Sequence, residues 1–137
     1  MTTKPILDHI GIAVRSLDDV KIYEALGLTV DHIETVETQK VRTAFLSVGD
    51  SNLELLEPTS AESPVARFIE KKGEGIHHIC FRVQDLDGEL ARLKAAGFRL
   101  VNETGIPGAH GCRVAFLHPA AGNGVLIELS EKVESGE

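Results

Sequence analysis

Residues 7–18 read LDHIGIAVRSLD, and apolar residues recur at every second position through the middle of that run. Side chains alternate across a β-strand. Ile10, Ile12 and Val14 therefore share one face, and His9, Gly11 and Ala13 share the other. Residues 76–87 read IHHICFRVQDLD and repeat the pattern, with Ile79, Phe81 and Val83 on the apolar face and His78, Cys80 and Arg82 opposite. The two segments align without gaps at an offset of 69 residues, His9 falling on His78 and Asp18 on Asp87. Each is followed by a stretch of helical character ending in glycine: Asp18 to Leu26 before Gly27, and Asp87 to Ala96 before Gly97. An Asp near a helix start suits an N-cap, and a Gly just past the end suits the left-handed C′ position.

The halves also end alike, LELL at 53–56 and IELS at 127–130, so that Glu54 falls on Glu128. The pattern predicts strands over 6–14, 30–36, 40–48 and 51–57 in the first half. In the second half it predicts strands over 76–83, 98–103, 112–118 and 124–130. Ser63 to Lys72 reads as a short linking helix with Pro64 in its first turn. The tail after Ser130 is polar and reads as frayed. The fold class expected is α+β: two βαβββ modules, about 6–58 and about 75–130, within one domain spanning 1–137. Solenoids need three or more units. Two modules suit a pseudo-twofold pair, with long strands facing each other across a central cleft.

Strand parity also singles out the chemistry. Leu53 and Leu55 flank Glu54, and Ile127 and Leu129 flank Glu128, so each carboxylate points away from an apolar stripe. A carboxylate in such a strand is rarely buried unless it is paired or bound to a metal. One strand His or Glu alone reads as a satisfied surface group. Two His and two Glu in equivalent places of a repeat read as a convergent set, and two imidazoles with two carboxylates suit Co, Mn, Ni, Fe or Zn. Four such ligands on an octahedral ion leave two positions for a bidentate oxygen ligand. His32 and His77 break the repeat and read as ordinary polar residues. The glycines of GIPGAHG, 105–111, lack the Lys-Ser/Thr of a phosphate loop and read as a flexible loop over the site.

Composition narrows the class further. The length of 137 residues suits one domain of ordinary size, and 42 % hydrophobic with 26 % charged residues are globular values. A net charge of -7 without a basic patch argues against nucleic acid as partner. Cys80 and Cys112 are not in a Cys-x-x-Cys pair and read as buried free thiols. The first five residues lack the apolar core of a secretory signal, and no apolar run reaches the ~20 residues of a membrane span. These features point to a soluble cytoplasmic protein with no membrane partner.

The repeat, the length and the His/Glu pattern resemble the vicinal oxygen chelate superfamily, from about Leu7 to Ser130. That resemblance implies a half-open barrel of paired βαβββ modules around a metal. DHIGIAV at 8–14, LELLEP at 53–58, GIHHICFRV at 75–83, GAHGCRVAFLHP at 108–119 and GVLIEL at 124–129 are similar to the methylmalonyl-CoA epimerases within it. By this resemblance His9, His78 and Glu128 are metal ligands, Glu54 occupies the remaining ligand position, and the cofactor is one divalent ion per chain. Co2+ is favoured, with Mn2+, Ni2+, Zn2+ or Fe2+ as other occupants. The implied reaction interconverts (R)- and (S)-methylmalonyl-CoA through a metal-stabilised enolate. Glu128 is the first candidate for the proton-transferring carboxylate and Glu54 the second. The implied partners are a CoA thioester substrate and a second copy of the chain, since a half-barrel leaves sheet edges to cover. Lys40, Arg42, Arg67, Lys71 and Lys72 are candidates for the CoA moiety, against the plainer reading of solvated surface charge.

One position departs from the family. Some members carry a second acid on the third strand. Val41 to Val48 holds no carboxylate, and Thr43 stands near that position, so the second proton carrier is not assigned. Three other readings share the fold. A glyoxalase I-type lactoylglutathione lyase has the same ligand types and acts on a glutathione hemithioacetal. A metal-free binding protein of the bleomycin-resistance kind needs no His/Glu set. An extradiol dioxygenase uses a His-His-Glu iron site, usually on a longer chain.

Overall fold

The computed structural model describes residues 4–18 and 20–133. Its elements run β1 (Ile6–Ala13), α1 (Lys21–Ala25), β2 (His32–Val36), β3 (Val41–Val48), β4 (Ser51–Pro58) and α2 (Pro64–Lys72). They continue with β5 (Gly75–Arg82), α3 (Leu86–Ala95), β6 (Ile106–Pro107), β7 (Arg113–Leu117) and β8 (Leu126–Glu131). This is an α+β fold in which βαβββ occurs twice, with α2 between the copies. The chain divides into two compact units, His9–His77 in one and the residues up to Asp8 with those from His78 onward in the other.

In the first unit the strand order is β2-β3-β4-β1. β3 is antiparallel to both β2 and β4, and β1 runs parallel to β4. One face is the core: Val14, Leu17, Val20, Ala44, Leu46 and Leu55 are buried together, with Ile12 and Leu53 against them. The apolar stripe of the first strand thus packs inward, and His9, Gly11 and Ala13 take the opposite face. Ser63 caps α2, its hydroxyl accepting from Val65 N–H at 3.1 Å, and Pro64 opens the helix as expected.

In the second unit the order is β5-β8-β7-β6, with β5 parallel to β8 and the remaining pairs antiparallel. Leu86 and Leu90 of α3 pack on Ala115, Leu117 and Leu129, with Phe81, Val83 and Ile127 beside them. His78 and Glu128 again lie on the face away from this core.

Three local expectations need correction. The strand expected over 98–103 is reduced to a single bridge between Leu100 and Leu117, and the edge strand is the two-residue β6 at Ile106–Pro107. Asp87 is not the cap of α3. Asp85 is, its carboxylate accepting from Gly88 N–H at 3.1 Å, which leaves Asp87 inside the first turn. The first helix begins at Lys21, with Val20 in the cap position and no side-chain cap bond, so Asp18 lies in the preceding turn. Asp19, within the helix expected from Asp18, lies outside the described residues. Two glycines of the 105–111 loop lie close to neighbours, a Cβ at Gly108 standing 2.7 Å from Val114 Cγ1 and one at Gly105 2.8 Å from Leu86 Cδ2, whereas nothing lies within 4 Å at Gly111. Gly27 and Gly97 do occupy the left-handed region after their helices, at φ +95° and +93°. Of the tail expected to fray, Glu131 pairs within β8, and residues 134–137 lie outside the described residues, as do 1–3 at the start.

Candidate functional site

Each unit builds one buried imidazole–carboxylate pair. In the first, β1 runs parallel to β4 with His9 opposite Asn52 and Gly11 opposite Glu54. Residues paired across a sheet point to the same side. Glu54 therefore rises beside His9, and its Oε2 lies 2.9 Å from His9 Nδ1. Gly11 between them has no side chain to stand in the way. In the second, His78 is opposite Leu126 and Cys80 opposite Glu128, and Glu128 Oε1 lies 3.0 Å from His78 Nε2. The Phe116 ring meets His78 edge-on at 6.1 Å between centroids.

All four side chains are almost wholly removed from solvent: His9 is 5 % exposed, Glu54 9 %, His78 4 % and Glu128 5 %. Burying a carboxylate is costly unless it is paired. As strand parity predicts, each His and Glu lies on the side away from its unit's apolar core, and the structure brings His9 to Glu54 and His78 to Glu128. The donor types in each pair, one imidazole and one carboxylate, are those a borderline divalent metal takes.

Several of the remaining polar residues have partners of their own. Neither Cys80 nor Cys112 is in a disulfide; Cys80 is buried as expected, whereas Cys112 is only half-buried, and burial raises its pKa above the usual thiol value. Lys40 is tied to Glu62 at 3.1 Å and Arg42 to Glu57 at 3.1 Å, and Lys72 sits over the Phe68 ring. His77 meets the same Phe68 ring edge-on. A cavity of about 660 Å³ in the second unit is lined by Arg82, Arg113, Lys132 and Glu131 among others. Two of its cations are already neutralised, Arg82 by Asp8 at 2.9 Å and Arg113 by Asp87 at 3.0 Å. The Arg113 guanidinium holds the Asp87 carboxyl below the usual range.

Two residues passed over in the sequence lie on the same face as His9 and Glu54. Thr43 of β3 is opposite Leu56 of β4 and opposite Glu34 of β2, and Phe45 is opposite both Glu54 and His32. His32 and Glu34 therefore share that face. His32 stacks on Phe45 at 5.7 Å between centroids, and its Nε2 lies 3.5 Å from Glu34 Oε1. Neither repeat nor motif marks them, because only the β2–β3 register reveals their side.

Residues 8–116 match the family model of the Glyoxalase/Bleomycin resistance protein/Dioxygenase superfamily. The chain is similar to an ethylmalonyl-CoA/methylmalonyl-CoA epimerase of Cereibacter sphaeroides, 39 % identical over 130 residues, covering 91 % of this chain and 96 % of that one. An uncharacterized protein of Bacillus subtilis is 49 % identical over 127 residues, covering 91 % of each. Among solved structures, a methylmalonyl-CoA epimerase in complex with methylmalonyl-CoA and NH4+ superposes with a TM-score of 0.88 at 40 % identity, covering 96 % of both chains.

Proposed function

Because the chain belongs to the glyoxalase/bleomycin resistance protein/dioxygenase superfamily, and within it to the methylmalonyl-CoA epimerases, we propose that it interconverts the (R) and (S) forms of methylmalonyl-CoA. The observation that carries this reading is the pair of buried His–Glu contacts built at equivalent places of the two modules. They are of the kind an enolising enzyme needs, and two of the proteins compared above, matched over 91 % and 96 % of this chain, carry that activity in their names.

His9, Glu54, His78 and Glu128 would together hold one divalent ion, Co2+ in our reading, with Mn2+, Ni2+, Zn2+ and Fe2+ as competitors. The buried donor set fits such an ion by ligand type, and what the ion supplies when bound is fixed positive charge for the substrate's oxygens. The chain's own residues do the rest. The reacting carbon lies between a carboxylate and a thioester, so its C–H bond is acidic enough for a carboxylate base. Glu128 takes that proton, and the electron pair left behind spreads onto the thioester carbonyl. Low exposure keeps bulk water from competing for the charge. A proton returned to the opposite side of the planar carbon completes the inversion.

The chain works as a homodimer. Ile22, Leu26, Ile33 and Val48 of one unit, and separately Phe98 and Val101 of the other, are exposed apolar side chains of the kind that a second copy would cover. No helix among the described residues is long and apolar enough to cross a membrane. A cytoplasmic location accords with the free thiols.

The test is incubation of the metal-loaded chain with one epimer of methylmalonyl-CoA, following the other epimer by chiral chromatography. A parallel assay offers the glutathione hemithioacetal of methylglyoxal. Conversion of the CoA ester alone supports the epimerase. Turnover of the hemithioacetal alone replaces it with a lactoylglutathione lyase.

A further inference from the structure

In the second unit β8 lies between β5 and β7. The two registers set Cys80, Glu128 and Phe116 in one row across these three strands, on the face away from the core. His78 and Leu126 form the next row on one side, and Arg82, Ser130 and Val114 the next on the other. Neighbouring strands lie about 4.8 Å apart, so β5 and β7 are about 10 Å apart across β8. The His78 and Phe116 ring centroids are nonetheless only 6.1 Å apart. The two rings therefore lean toward each other over β8. Glu128 Oε1 lies 3.0 Å from His78 Nε2. Directly opposed residues in an antiparallel pair have Cβ atoms about 5 Å apart, so Phe116 borders Glu128 from the other strand.

Little else apolar on this face is open beside Glu128. Val114 is 3 % exposed and Cys80 is fully buried, whereas Phe116 and Leu126 are half-buried. Phe116 is the larger of these two, and it is the one directly opposite Glu128.

We infer that Phe116 is a specificity-determining residue, its ring the wall against which the alkyl group of a 2-alkylmalonyl thioester packs. The inference rests on the epimerase reading, in which Glu128 takes the α-proton. For that transfer the α-carbon must touch the Glu128 carboxylate, and so come within reach of the ring beside it. Besides the proton, the α-carbon of methylmalonyl-CoA carries a carboxylate, a thioester and a methyl group. The ring has no donor to give, and its negative π face disfavours a carboxylate. The methyl group is the arm that suits it. The edge-on contact with His78 holds the ring in place, so an arm longer than methyl has to push the ring away from the imidazole. An apolar wall of this kind discriminates one methylene by roughly 10–200-fold.

The test compares wild type with Phe116→Ala and Phe116→Leu on methylmalonyl-CoA, 2-ethylmalonyl-CoA and 2-propylmalonyl-CoA. Each thioester is followed as kcat/KM for α-proton exchange in D2O, and circular dichroism checks the fold. Wild type should prefer the methyl compound to the propyl compound. Phe116→Ala should raise the propyl-to-methyl ratio of kcat/KM by at least ~10-fold. Phe116→Leu, which keeps a smaller apolar wall, should fall between the two. A ring that only orients His78 would slow all three thioesters by one factor and leave the ratio unchanged, which would overturn the assignment. So would a wild-type chain that exchanges all three equally well. If Phe116→Ala does not fold, Phe116→Leu carries the comparison, and an unchanged ratio there overturns the assignment as well. Wild-type chain that exchanges the α-proton of none of them overturns the epimerase reading, and this assignment with it.

Discussion

Glu54 stands two residues beyond the register partner of His9, and Glu128 stands two residues beyond the register partner of His78. His9 is opposite Asn52 and His78 opposite Leu126, each on a parallel neighbour. The two chain connections differ in length, yet the offset is conserved and yields contacts of 2.9 and 3.0 Å. A parallel ladder keeps paired residues on one side, so this offset alone brings each carboxylate to its imidazole.

Removing either imidazole should therefore remove a metal ligand. His9→Ala and His78→Ala are each expected to weaken divalent-ion binding by more than ~100-fold, since loss of even an outer-sphere partner typically costs 10–100-fold. Isothermal titration with Co2+ measures it. Tight stoichiometric binding by both variants would remove these residues from the ligand set.

Glu128→Gln should stay folded and still bind metal, because an amide keeps the shape and an oxygen donor. It cannot take a proton, so kcat should fall ~10²–10⁴-fold. Glu54→Gln should cost less. The reverse order of the two variants in a kcat comparison would exchange the roles of the two glutamates.

Gly108→Ala tests the close approach of that glycine to Val114. The added methyl would meet the buried Val114 Cγ1 at 2.7 Å. Overpacking of this kind typically costs about 1–3 kcal/mol, read as a lower midpoint in urea unfolding with an unchanged m-value. An unchanged midpoint would mean that β6 moves away from β7 freely.

Asp31 anchors the β2–β3 register that sets the side of His32 and Glu34. Its Oδ2 accepts from the Ser47 hydroxyl at 2.6 Å and from Ser47 N–H at 2.9 Å, and the hydroxyl bond is the first cause holding its pKa below the usual carboxylate value. A lowered folded-state pKa stabilises the fold above the unfolded value, near about 3.9. That contribution is lost as pH falls through the lowered folded value. Ser47→Ala should raise the Asp31 pKa toward normal and make stability less dependent on pH in the acid range. NMR titration of Asp31 reads the shift, and an unmoved value would deny the anchor.

The His–Glu arrangement was legible because a polar residue within an apolar stripe, repeated in register, shows its side by parity alone. The helix ends were less so. Asp87 and Asp85 both offer a carboxylate near Leu86, and only the backbone decides that Asp85 reaches Gly88 N–H. The sixth strand was misplaced because the apolar Leu100 and Val101 resemble a strand, whereas the glycines at 105 and 108 allow Ile106–Pro107 to approach β7 closely. Glu34 was invisible, since its side is fixed by pairing with β3 and no apolar alternation in HIETV discloses it.

The proposed reaction makes and reprotonates a carbanion next to a thioester. Proton NMR of a single epimer of methylmalonyl-CoA with metal-loaded protein in D2O tests it most directly. The α-proton signal should disappear, with the CoA ester intact and both epimers present in deuterated form at the end. An α-proton signal that persists unchanged at catalytic protein concentration, with metal bound, would contradict it.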